Sequence, residues 1–525
     1  MDSEKLKILV ERRHPEYQNQ IAHWNFLEGC YFGGRDWLTE NIFRYLKEGD
    51  SEYADRVDRA YRFNHTKEVV DLVTKYVIQA SKKRKEDAPV ALQEFWARTT
   101  KGGQSIDEFM RIAATKSSVG GRAFAVIDQT RSASGKEVVS KKDEKDEDIR
   151  TYAYLVSPKD VLDMAWDDEG RLKWILIREW KRDDESPTAS GKIKERFRLW
   201  EKDQTRLIEQ IENKDRRKRK AYRVTETVNH ELGMVPVVPV DQQISAAEYY
   251  VPALISDIAY LDRATANYGS NLDAIIQDQT FSQLAMPGQG LLPGEDAYDK
   301  MLEMGTKRMF IYDGESGNPP QYISPDPRQA ELILKVISQL ISEIYHSVGL
   351  AGERTKEDNA KGIDNSSGVA KEKDFERVVA LLSSKSAALE LAENRIAEVV
   401  LAWEGKSQSE TKDWVQWGSD FSVTTLMNEI DIAIKLSLVG DLGSKVVSKQ
   451  NEIIIEKLFP GLAERLIQGM KEESATLVKS RQETEDFNRS ELDREQSSLM
   501  EEAGRDRDDA GAKQSDTKSR ETDSR

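Results

Sequence analysis

After Pro327, apolar side chains recur at three- and four-residue steps: Leu332, Ile333, Val336, Ile337, Leu340, Ile341 and Ile344, and the pattern stops near Gly349. So wide an apolar face predicts a helix packed against several neighbours. A polar stretch follows, from Gly352 to Asn365, with almost nothing to bury. Helical character resumes at Ser366-Ser367-Gly368-Val369-Ala370-Lys371, after which Phe375, Leu382, Leu389, Ile396 and Trp403 recur as a heptad. Val378, Val379, Ala392, Val399 and Val400 fill the positions between. At about 1.5 Å per residue this second helix spans roughly 50 Å, long for an ordinary domain.

Elsewhere the pattern changes twice. Residues 1–80 read as helices joined by a Gly33-Gly34 turn, rich in aromatics (Trp24, Phe26, Tyr31, Phe32, Trp37, Phe43, Tyr45), with Tyr61–His65 leading into Val69, Val70, Val73, Val77 and Ile78. Aromatic rings beside Arg and Lys can stack on bases, but these follow helical core spacing, which favours packing. Lys82-Lys83-Arg84-Lys85 reads as a solvated helix end. Past a helix around Ile106–Ser117, alternation sets in. Strands are predicted at Ala123–Ile127, Tyr152–Val156, Leu172–Ile177, Arg196–Glu201, Thr205–Glu209 and Tyr222–Val228, with a hairpin turn at Asp167–Gly170. Two hydrophilic insertions, 131–150 and 183–194, read as mobile, and Lys214–Lys220 as an exposed basic hairpin flank. Asn229–Val240 closes the sheet region. A helix is expected from Pro252, with Leu254, Ile258, Leu261, Thr265, Tyr268, Leu272 and Ile275 on one side and Asp257, Asp262, Asn267, Asn271 and Asp273 on the other. A Gly- and Pro-rich excursion then returns through an amphipathic piece near Tyr298–Met304 and a strand at Arg308–Tyr312. Connections of this length are usually functional. Trp414–Trp417 and Phe421–Val423 read as a short strand pair. Helices are expected at 427–438, 448–458 and 462–477, before a polar, disordered tail.

Composition narrows the functions available. Charged residues are 33% of the 525 and the formal net charge is −16. A chain that grips nucleic acid over its whole surface is normally basic. Cys30 is the only cysteine, which excludes a disulfide framework and a cysteine-based metal site. The five histidines are scattered, with no HExxH, and no nucleophile elbow is present. Gly440-Asp441-Leu442-Gly443-Ser444-Lys445 has P-loop residue types at the wrong spacing. No catalytic constellation or cofactor site emerges, and the expectation is a non-enzyme. The start, Met1–Lys7, has no apolar signal core, and no run approaches the ~18 apolar residues of a membrane span. The chain is therefore expected in a cytoplasm, or in something assembled there.

The order of these stretches resembles the portal protein, or head–tail connector, of tailed double-stranded DNA phages. Four segments carry the resemblance: Tyr31-Phe32-Gly33-Gly34 with the Tyr61–His65 block; Pro252–Ile258 running to Asn267-Tyr268-Gly269-Ser270-Asn271; Val348-Gly349-Leu350 with Ser367–Lys371; and Val439-Gly440-Asp441-Leu442-Gly443-Ser444. Each is loose, and their order and spacing across about 20–460 give the weight. The hydrophilic insertions and polar tail depart from the pattern where such families vary. The resemblance implies an α+β, predominantly helical subunit: an α/β wing (1–245), stem helices (246–276 and 327–350), a small α/β clip (277–326), a tunnel loop (351–366), a long helix with short strands (367–424), a helical crown (425–480) and a disordered tail (481–525). It further implies a ring of twelve copies at one capsid vertex, assembled in the host cytoplasm into the virion, with DNA packaged and ejected through it. Partners would be capsid and scaffolding proteins, the terminase large subunit and a head–tail adaptor, with no membrane and no cofactor. Gly352, Glu353, Arg354, Lys356, Glu357, Asp358, Lys361 and Gly362 would face DNA without sequence preference, and Tyr298, Met301, Met304, Phe310 and Tyr312 would dock partners. The alternative reading is a helical scaffold or adaptor without a channel. A DNA-processing enzyme fits least.

Overall fold

A computed structural model describes residues 3–80, 82–131, 149–184, 186–211, 221–280, 283–287, 309–312, 321–323, 327–350, 368–405, 413–418 and 421, then 448–449, 451–452, 455 and 466–480. The chain divides into two units, Met1–Phe421 and Ser422–Arg525. In the second, residues 466–480 are helical, and Asn451 Nδ2 donates to Ser474 Oγ at 3.0 Å. The helix expected at 427–438, most of 448–465 and the tail lie outside the described residues.

The first unit mixes helices and sheets, the α+β class expected. It opens with α1 (Ser3–Glu11), α2 (Pro15–Phe32), α3 (Arg35–Asn41), α4 (Asp50–Arg59) and α5 (His65–Gln79). Pro15 suits the first position of α2, where no backbone donor is needed, and the His14 ring caps it by accepting from Glu16 N. Gly33 and Gly34 end it at φ +65° and +94°, backbone that favours glycine. Then come β1 (Lys82–Arg84), α6 (Val90–Ala97) and α7 (Ile106–Gly120), the last begun by a reciprocal Ser105–Glu108 capping box.

Strands follow: β2 (Arg122–Gln129), β3 (Thr151–Val156), β4 (Val161–Trp166), β5 (Leu172–Arg182), β6 (Ile193–Glu201), β7 (Gln204–Ile211), β8 (Ala221–Asn229) and β9 (Val237–Asp241). The middle five form an antiparallel meander in the order β4-β5-β6-β7-β8. The hairpin at Asp167–Gly170 forms as the turn chemistry predicts, with Gly170 N donating to Asp167 O. The 183–194 insertion is a bonded turn joining β5 and β6, where Asp183 N donates to Lys192 O and Ser190 Oγ to Asp183. Instead of extending the meander, β9 returns to pair with β2, Arg122 opposite Asp241, in the order β3-β2-β9.

The remaining elements are α8 (Ile258–Thr280), β10 (Gln283–Pro287), β11 (Met309–Tyr312), β12 (Gln321–Ile323), α9 (Pro327–Ser347), α10 (Gly368–Trp403) and β13 (Val415–Trp417). Two apolar cores result. One gathers α2, α5, α7, α9 and α10 with β2 and β9; the other fills the space between α1, α2 and the meander. The heptad of α10 lies in the first core, with Leu382, Leu389 and Ile396 buried. Leu389→Ala is therefore expected to cost about 2–5 kcal/mol in denaturant unfolding.

Several expectations need correction. The helix predicted from Pro252 starts at Ile258, because the preceding backbone is engaged elsewhere: Leu254 N donates to Ser118 O. That close approach also requires Gly121, at φ +81°, since a Cβ there would lie 1.8 Å from Val251 O. The basic run at 82–85 is no solvated helix end. Its first three residues form β1 and pair antiparallel with β13, Lys82 opposite Trp417. Val415–Trp417 thus pairs with a strand far away in sequence, while Ser422 and Val423 of the expected partner lie outside the described residues. Among its described residues the excursion holds three strands where one was expected, in the order β11-β10-β12 with β10 and β11 parallel.

Candidate functional site

The feature that stands apart from the cores is a stalk made of α8 and α9, which pack along one another and carry the β10–β12 sheet between them. The root of α8 is clamped by buried polar chemistry, much of it on the side opposite the apolar row that the sequence pattern picks out. Asp262 is fully buried, and its Oδ2 accepts from Arg62 Nη2 at 2.6 Å, Thr66 N at 3.0 Å and Thr66 Oγ1 at 2.6 Å. The Arg62 guanidinium lies 3.9 Å from the Trp37 ring centroid and also donates to Cys30 O. One turn on, Asn267 Oδ1 accepts from Phe43 N while its Nδ2 donates to Asn41 O. Arg56, paired with Glu48 at 2.7 Å in a buried ion pair, donates to Ser270 Oγ at 2.9 Å. Polar side chains at 262, 267 and 270 therefore act as pegs, each held by partners from α3–α5 and their loops, with Asp262 bonded through Oδ2 alone while its Oδ1 is buried without a partner among the described residues.

The root of α9 is fixed by packing and one hydroxyl. Ile344, Tyr345, Val348 and Leu350 are buried, and Tyr345 Oη donates to Glu68. Gly349, at φ +74°, turns the chain where a Cβ would sit 3.2 Å from Arg377 Cβ, on α10. Away from the roots the stalk is only partly covered: Ile333, Val336, Ile337 and Leu340 are half-buried, while Leu332 is 63% exposed, Leu334 52% and Ile276 48%. The wide apolar face of α9 thus exceeds what α8 covers. A second exposed apolar group, Phe43, Tyr45 and Leu46 with Tyr260 and Tyr268, lies beside the α8 root, and Phe32, Tyr61 and Phe63 are exposed near the start of α5. Trp24 and Trp37 are buried as expected; these other aromatics are not. Uncovered apolar area of this kind marks an interaction surface.

α10 is pinned to the rest of the unit by two buried ionisable groups that heptad reading does not find. Lys385 Nζ donates to Ser117 Oγ on α7 and to Gln242 Oε1 just after β9, both at 2.6 Å. Burial drives its pKa down to about 7, with Asp241 opposing. Glu393 accepts from Arg84 Nε on β1 and Trp417 Nε1 on β13, both at 2.8 Å. Burial pushes Glu393 up, and Arg84 draws it back. For Lys385 the unfolded chain holds its proton to about 10.5 and the folded chain only to about 7. Stability should therefore rise between these pH values, by about 1.4 kcal/mol per unit, and be flat below. Lys385→Met should remove that slope in unfolding measured from pH 6 to 10.

Of the residues assigned in the sequence to DNA, Gly352, Glu353, Arg354, Lys356, Glu357, Asp358, Lys361 and Gly362 all lie outside the described residues, between α9 and α10. So do Tyr298, Met301 and Met304. Phe310 and Tyr312 stand on β11, opposite Ala285 and Pro287 of β10. Among the described residues no group of His, Cys, Asp and Glu could hold a metal ion, and no helix is long and apolar enough to cross a membrane.

No protein-family model and no curated protein matches this sequence. Solved structures with a similar arrangement include the neck of an empty GTA particle computed with C6 symmetry, at 11% identity and a TM-score of 0.37, covering 74% of this chain and 89% of that one. The neck of a native GTA particle computed with C12 symmetry gives the same values. A chain from the virion of a native gene transfer agent (GTA) particle is 13% identical, with a TM-score of 0.36, over 83% of this chain and 99% of that one.

Proposed function

We propose that this chain is a portal subunit, the head–tail connector of a phage-type particle. Identical copies would surround a channel at one capsid vertex, through which double-stranded DNA is packaged and later ejected. The observation that carries this reading is the stalk: two helices rooted in a polar clamp, bearing a small sheet, with an apolar face that one copy leaves bare. Repetition around a ring covers such a face, because a head-to-tail contact closes on itself. The stalk sheet would dock the packaging motor and later the adaptor, with Phe310 and Tyr312 on one of its strands. The wing of helices and meander would face capsid and scaffolding proteins. The 351–366 loop, with Arg354, Lys356 and Lys361 offset by Glu353, Glu357 and Asp358, would line the channel. The net charge of −16 suits a conduit, since an acidic wall does not trap a polyanion. No catalysis is part of the role.

Mass measurement of the purified chain, with negative-stain imaging, tests it. A ring of about twelve 59.8 kDa copies with a central hole is expected. A stable monomer or dimer without a hole would favour the scaffold or adaptor reading instead.

A further inference from the structure

Between β3 and the meander, beside the loop that precedes α7, an open cleft of about 820 Å³ is unaccounted for by the ring. Its size falls in the range of ligand sites, not of trapped water. Tyr152, Tyr154 and Trp180 supply aromatic surface, and Trp180 is 58% exposed.

The polar groups are unequally matched. Glu179 is shared by two arginines, Arg196 Nη2 at 2.8 Å and Arg198 Nε at 2.7 Å. Asp128, the other carboxylate in the wall, accepts from Tyr152 Oη at 3.1 Å. Arg196 Nε is buried without an acceptor among the described residues. The Lys101 amine lies 5.0 Å from the Tyr152 ring centroid and has no carboxylate within ion-pair distance among the described residues. The cleft therefore holds more cations than carboxylates and spare donors, in a chain whose net charge is strongly negative. A buried guanidinium N–H without an acceptor is costly, and a carboxylate is the acceptor it matches best. A nucleic-acid strand fits less well: it needs a track of cations, whereas two of the three here are already neutralised in part by Glu179.

We propose that this cleft binds a short acidic segment of a partner protein. Its carboxylates are taken by Lys101 and Arg196, and its apolar side chains lie on Tyr152 and Trp180. The site is separate from the stalk, and it stands whether or not the copies form a ring.

Fluorescence anisotropy with a labelled hexaglutamate peptide and the full chain tests this. Saturable binding is expected, weakened at least tenfold by Lys101→Glu and by Arg196→Gln. Lys173→Glu, at the other end of β5, should leave it unchanged. Lys101 is exposed, so its variant reads the site even if Arg196→Gln disturbs folding. No saturable binding, or equal weakening by Lys173→Glu, would overturn the proposal. So would displacement of the peptide by an oligothymidylate twelve-mer as readily as by unlabelled hexaglutamate, which would mark a general polyanion surface.

Discussion

Replacing Asp262 by alanine is expected to destabilise the first unit by about 3–5 kcal/mol in denaturant unfolding. The carboxylate is fully buried and satisfies Arg62 Nη2 together with both donors of Thr66. Removing it strands a guanidinium whose side chain is only 5% exposed. Stranding a buried charge costs far more than an intact pair gains, because the remaining ion has lost its water and its partner alike. The double replacement Arg62→Met with Asp262→Leu should therefore cost less than either Asp262→Ala or Arg62→Ala alone. A loss below about 1 kcal/mol for Asp262→Ala would mean that α8 is held by packing and that the clamp is incidental.

Glutamates in place of Leu332 and Leu334 should act at the opposite level. Both side chains are more than half exposed, so the fold of the subunit should change by no more than about 0.5 kcal/mol. In the proposed ring each would be covered by a neighbouring copy, and the transfer term lost is about 1.5–3 kcal/mol per side chain, before the cost of burying charge. Two such losses at every contact raise the concentration needed for assembly by a hundredfold or more. Sedimentation velocity should then find monomers with unaltered circular dichroism. Intact rings from this variant would place the subunit contact elsewhere, and the Phe43–Leu46 surface would be the next candidate.

What the sequence made legible were elements whose burial is periodic. The heptad of α10 buries Leu382, Leu389 and Ile396 as its spacing implies, and β5–β8 of the meander fall where alternation and turn chemistry place them, whereas β4 has no counterpart among the expected strands. What stayed hidden depends on partners distant in the chain. Asp262 and Asn267 read only as polar positions on one side of the helix, and Ser270 carried no expectation of its own, because their acceptors and donors come from α3–α5 and the loops between them. Lys385 and Glu393 interrupt a helix that otherwise reads as core, and only the folded arrangement brings Ser117, Gln242, Arg84 and Trp417 to them. The β1–β13 pair escaped for the same reason: three basic residues have no strand signature until Val415–Trp417 lies beside them. The bare apolar stalk was half legible. The width of its stripe signalled several neighbours, but a single sequence does not say how much of that face the rest of the chain leaves uncovered.

That strand pair also sets a timetable for biosynthesis. Lys82 meets Trp417 across roughly 330 residues of chain. A ribosome adding about 5–20 residues per second needs on the order of half a minute to make the second strand after the first. Until then Arg84 lacks Glu393, and the core beneath α10 lacks its cover. Products truncated or stalled before Val415–Trp417 cannot complete that core.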